Sequence, residues 1–222
     1  MDLPSPALWT AFQDGHRFQT VRGMIEMRCR DVGSLVLPTG RIVACDPQFD
    51  LVQEPFSVRV DPGEYPVFLS LTDLPEIALL MVQFADGEPT RWVQAKPQFF
   101  SVDSASACIM DAKLARMLIR ASENDRFDRH WKRATDEMEE NDGLWGNVCL
   151  HKTSRANMIA FRTMGGDGAF CSYFGYSKEN ELKCLVTDFF LAELVTEEAT
   201  EQKRDRADWK WFDDKRGEYP PG

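Results

Sequence analysis

Carboxylates are the residues in this sequence whose type and placement could do chemistry. Asp46, Asp103, Asp111, Asp167 and Asp188 each fall at the end of a predicted strand or in a turn. Oxygens converging at one rim of a sheet would suit a hard cation such as Ca²⁺ or Mg²⁺, or form an acid–base pair. These five are the candidate ligand-binding residues; no catalytic residue is assigned, and a metal is left open. Aspartates at strand ends also serve ordinary turns, where the side chain accepts hydrogen bonds from nearby backbone N–H groups. Both readings stand.

Other chemistry has thinner support. The histidines, His16, His130 and His151, are scattered, and the six cysteines (Cys29, Cys45, Cys108, Cys149, Cys171, Cys184) include no CxxC pair. Neither set has the spacing of a zinc site. Cys149 and His151, two apart in a predicted strand, share a face and form a conceivable thiol–imidazole pair. Gly165-Gly166-Asp167-Gly168 is glycine-rich, but no Lys-Ser or Lys-Thr follows it. It leads into a strand, not a helix N-terminus, so it reads as a turn needing positive φ and not as a phosphate loop. No cofactor is predicted.

The elements that must position these residues are mostly strands. Residues 6–18 suit a short helix capped by Ser5, with Leu8, Trp9 and Phe12 on one face. From Met24 to Ala95 the pattern changes to short β-type runs separated by turn residues. Three hairpins are expected there. Residues 34–37 and 41–45 flank Pro38-Thr39-Gly40, residues 56–60 and 65–71 flank Asp61-Pro62-Gly63-Glu64, and residues 76–84 and 90–94 flank residues 85–89. Two further strands, 99–102 and 107–110, surround Asp103-Ser104-Ala105-Ser106. A helical segment follows from about 111 to 141, broken near 122–124, with Phe127, Trp131, Ala134 and Met138 as its apolar stripe. Strands return at 147–151, 158–162, 169–174 and 181–191. The expected class is α+β, mainly β: antiparallel sandwich-like sheets built from successive hairpins, with the helices packed on them. Residues 1–195 form a single strand-rich domain. Residues 196–222 form a charged extension carrying Trp209, Trp211 and Phe212.

The chain has 222 residues, of which 43% are hydrophobic, enough for a packed core without disulfide staples. Scattered cysteines in such a chain read as free thiols of a reducing compartment. No basic and apolar leader opens the sequence and no apolar run is long enough to span a bilayer, so a cytoplasmic location is expected. The net charge of −10 disfavours nucleic acid and anionic membrane. It suits a basic protein partner, whose approach it would steer.

Several stretches together resemble the bacterial domain-of-unknown-function family DUF4241. They are GSLVLPTGRIVACDP from Gly33 to Pro47, Pro55-Phe56, and VDPGEYPV from Val60 to Val67. Trp92 follows, then Val102-Asp103 with Asp111 eight residues on, Gly166-Asp167-Gly168, Tyr173-Phe174-Gly175, and VTDF ending at Phe189. The chain departs from the family pattern at Ser104-Ala105-Ser106, where a small residue and glycine are usual, and at Phe170, where tyrosine is usual. The resemblance implies a strand-rich domain with no assigned activity. Two functions are weighed. One is a non-catalytic binding protein, for instance an immunity-type protein that neutralises a toxin by protein–protein interaction. The alternative is a metal-assisted hydrolase or small-ligand-binding domain using the aspartates.

Overall fold

The computed structural model describes residues 7–20, 23–123, 126–163, 166–189 and 191–195. Ser5, Gly165 and the extension 196–222 lie outside the described residues. The chain opens with a short helix α1 (Ala7–Thr10), the hairpin β1 (Arg17–Thr20) and β2 (Gly23–Glu26), then β3 (Arg28–Leu37) and β4 (Ile42–Cys45). Next come β5 (Gly63–Leu71), β6 (Ile77–Gln83), β7 (Arg91–Val102) and β8 (Ser106–Asp111). Helices α2 (Ala112–Ser122) and α3 (Phe127–Glu140) follow. Strands β9 (Trp145–His151), β10 (Ala156–Arg162), β11 (Gly168–Tyr176) and β12 (Leu182–Asp188), then α4 (Leu191–Val195), complete the described chain. Every strand pairing is antiparallel. The protein is α+β and mainly β.

Three layers result. A six-stranded sheet in the order β3-β5-β6-β12-β11-β7 faces a four-stranded sheet in the order β4-β8-β10-β9. Alternation along the four-stranded sheet sends Ile42, Ala44, Ile109, Ile159 and Phe161 into the core shared with the larger sheet. It sends Val43, Cys45, Met110, Met158 and Ala160 to the other side, against Leu114 and Leu118 of α2 and Phe127, Ala134 and Met138 of α3. A sheet covered on both faces needs apolar residues at consecutive positions, which is why IVAC in β4 and CIM in β8 do not alternate.

Pairing among the early strands differs from the hairpins read from the sequence. The turn at Pro38-Thr39-Gly40 exists, with the Gly40 N–H donating to the Leu37 carbonyl at 3.2 Å and φ at 68°. Its two strands part there, however: β3 pairs with β5 in the larger sheet and β4 with β8 in the smaller. Residues 56–60 form no strand. Phe56, Ser57 and Val60 donate single backbone bonds to Ile42, Lys96 and Gly40, so this segment ties both sheets together. β6 and β7 belong to one sheet but are separated in it by the β11–β12 hairpin. The runs of alternating residues were legible; their partners were other strands than the ones read across each turn, β5 for instance pairing with β3 before it and β6 after it. The helical segment divides as expected, into α2 and α3, and the four later strands fall where their patterns placed them, the last ending at Asp188.

Candidate functional site

Asp46 follows β4 and is completely buried, and five donors satisfy its carboxylate. Its Oδ1 accepts the Gln48 N–H at 2.7 Å, the Phe49 N–H at 3.1 Å and the Ser104 hydroxyl at 2.9 Å. Its Oδ2 accepts the N–H groups of Asp103 and Ser104, both at 2.8 Å. Asp167 completes the series, its Oδ1 accepting the Ala105 N–H at 2.9 Å. Three successive amides of the β7–β8 turn are therefore held by two carboxylates. This turn carries the chain from one sheet into the other, and Ala105 within it has φ at 52°. Non-glycine residues seldom hold that conformation unless surrounding contacts fix it.

The structure thus brings Asp46, Asp103 and Asp167 to one place. Asp103 contributes its amide there and carries an exposed side chain, whereas Asp167, also exposed, contributes its carboxylate. Asp111 sits at the far end of β8, about 17 Å along the strand. Its Oδ2 accepts the N–H and hydroxyl of Thr39, both at 2.8 Å, and its Oδ1 caps α2 by accepting the Lys113 N–H at 2.7 Å. Asp188 ends β12 and accepts the Leu191 N–H at 2.9 Å at the start of α4. Among the described residues no group of three or more His, Cys, Asp or Glu is arranged to hold a metal ion.

Holding the 103–105 amides also fixes the neighbouring loop. Through residues 46–54 the chain doubles back, with the Asp50 N–H donating to the Asp46 carbonyl at 3.2 Å and the Gln53 amide donating to the Asp50 carboxylate. On this braced loop Phe49 is 70% exposed and Val52 74%. Phe99, four residues before the gripped turn on the edge strand β7, is 54% exposed. The exposed carboxylates of Glu54, Asp103 and Asp167 accompany them. No lysine or arginine occurs between 46 and 58 or between 97 and 112. Apolar side chains with acids around them result, and the exposed Arg162, in register with Ser106, adds a cation beside the turn.

Three of the thiols are held away from nucleophilic activation. Cys45 and Cys108 are registered partners on β4 and β8, with sulfurs 3.5 Å apart. Burial, and then the contact with Cys45, pushes the Cys108 thiol well up. Burial raises Cys184 to about 12, and burial together with Asp14 and Asp31 raises Cys29 to about 11. A raised thiol stays protonated and unreactive at neutral pH. Cys149 and His151 part company: Cys149 lines a cavity with Asn147 and Asn157, whereas His151 lines a different one and binds Ser154.

That second cavity, of about 490 Å³, was missed in the sequence. It lies between α2, the start of α3 and the β9–β10 connection, and its wall includes Lys113, Arg116, Arg120, Arg126, His130 and His151. The 113, 116, 120 spacing on a helix was the available signal, since it places three cations on one face. Among the described residues no aspartate or glutamate lines it. Burial, with Arg133 and Arg129 nearby, pushes His130 below its ordinary value.

A family model described as protein of unknown function (DUF4241) matches residues 35–187, a span that includes Asp46, the gripped turn and Asp167. No curated protein and no solved structure matches the chain. No helix among the described residues is long and apolar enough to cross a membrane.

Proposed function

The chain belongs to the DUF4241 family, and we propose that it is a binding protein that docks a basic protein partner on the loop at residues 46–54. The observation that carries this reading is the exposure of Phe49 and Val52 on a loop whose backbone Asp46 fixes. Large apolar side chains held outward on rigid backbone lose little entropy on binding and fill pockets in a partner, which is how binding hot spots work. The acidic surround supplies the complementary charge. With −10 over the whole chain, it would accelerate encounter with a cationic surface and repel acidic competitors.

An immunity-type role, in which the chain neutralises a toxin made in the same cell, fits such a surface. It places the protein in the cytoplasm, where its six unpaired cysteines would remain reduced. The aspartates that seemed free for chemistry support binding over catalysis, because Asp46 and Asp111 already accept bonds from backbone amides on both oxygens.

The test uses the purified chain and each basic protein, if any, encoded beside its gene, with a cationic protein surface such as lysozyme as the control for charge alone. Calorimetric titration should give a complex whose association weakens with salt, and Phe49→Ala with Val52→Ala should weaken it about tenfold or more. No complex with any basic neighbour-encoded protein, or full affinity in the double variant, would defeat the proposal.

A further inference from the structure

We propose that the cavity between α2 and α3 is a binding site for a small organic phosphate, independent of the loop surface above. An acidic chain has concentrated Lys113, Arg116, Arg120 and Arg126 around one concavity with no carboxylate among the described residues of its wall. Like charges brought together repel weakly at a solvated surface and together raise the affinity of the concavity for an anion. Arg120 already interacts within the chain. Among the described residues, however, none accepts an ion pair or side-chain hydrogen bond from Lys113, Arg116 or Arg126. Elsewhere on the surface arginines do find acids, as Arg17 does with Glu26 and Arg155 with Glu64, both at 2.7 Å.

Donors reach the cavity from three directions. Arg116 approaches from α2, and guanidinium groups bind phosphate oxygens in pairs of parallel bonds. Arg126 precedes α3, a helix whose N-cap makes no side-chain capping bond, in contrast to α2 with Asp111. The N-terminal end of a helix adds its own partial positive charge. Asp128, the acid of that first turn, is not part of the cavity wall. From the third side the wall includes His151, whose Nδ1 lies 2.7 Å from the Ser154 hydroxyl.

Leu114, Met117 and Ala121 give the same cavity an apolar portion, and its volume lies in the range of small-molecule sites. Several cations beside apolar surface fit a dianionic phosphate carried on an apolar body better than a bare ion. Duplex nucleic acid is a poorer fit, since the chain as a whole repels it.

Thermal unfolding of the full chain, followed with inorganic phosphate, phenyl phosphate and phenol at constant ionic strength, tests the site. Phenyl phosphate should raise the melting temperature saturably and by more than inorganic phosphate, while phenol should leave it unchanged. Arg116→Gln with Arg126→Gln should weaken phenyl phosphate binding about tenfold or more and leave the unliganded melting temperature nearly unmoved. If that variant fails to fold, Arg116→Gln and Lys113→Gln singly serve with the same readout. No saturable rise with phenyl phosphate, a rise matched by sodium chloride, or a rise retained in the arginine variants would overturn the assignment.

Discussion

At the Ser106 end of β8, Asp46 and Asp167 hold three successive amides, and the charges left outside are the acids Glu54, Asp103 and Asp167 with Arg162 beside them. At the other end Asp111 joins Thr39 to the first turn of α2, and the helix it starts presents cations to a cavity with no acid among the described residues of its wall. One strand thus separates an acidic platform from a basic concavity. The comparison distinguishes two uses of charge. A carboxylate surrounded by backbone N–H donors is part of the fold, since removing it leaves buried donors unsatisfied. A cation with no acid beside it contributes little to folding and is free for a ligand. Residue type alone does not separate the two; partners do.

Five variants would break or sharpen that contrast. The largest effect is expected at the Thr39 turn that Asp111 holds. In Gly40→Ala the new Cβ would lie 1.9 Å from the Val60 carbonyl oxygen at a φ of 68°, and denaturant unfolding should show a loss of about 4 kcal/mol or more. Asp46→Asn replaces an acceptor with an amide donor facing N–H groups. A loss of about 3 kcal/mol is expected, with faster hydrogen exchange at the Asp103 and Ser104 amides. At the opposite end, Asp111→Asn should cost about 2 kcal/mol, through both the Thr39 pair and the α2 cap, measured in the same way.

Asp167 has one bond, to Ala105, on an exposed side chain, so Asp167→Ala should cost about 1 kcal/mol at most. Smallest of all, Arg116→Gln with Arg126→Gln should stay within about 0.5 kcal/mol of the parent. Should the arginine pair prove as costly as Asp46, the cations would be structural and the contrast between the two ends would disappear. Should Asp46→Asn prove nearly neutral, the turn would be held by other means, and the loop bearing Phe49 would lose its claim to be rigid.

The sequence alone was sufficient for the α+β class, for the positions of α2, α3 and the strands after them, and for the family. Those properties rest on local periodicity: Phe127, Trp131, Ala134 and Met138 repeat at helical spacing, and their burial follows from that spacing whatever they pack against. The carboxylates that matter were also legible as a set, because polar residues at strand ends stand out from a core pattern. Tertiary structure alone decided what they do. Asp46 meets Ser104 across 58 positions and Asp111 meets Thr39 across 72, and β6 finds β12 beside it instead of β7. Such pairings depend on which apolar faces must be covered at once, a global condition that no short window of residues contains. The basic cavity is hidden for the same reason, since Arg116, Arg126 and His151 become neighbours only when two helices and a hairpin close on one another.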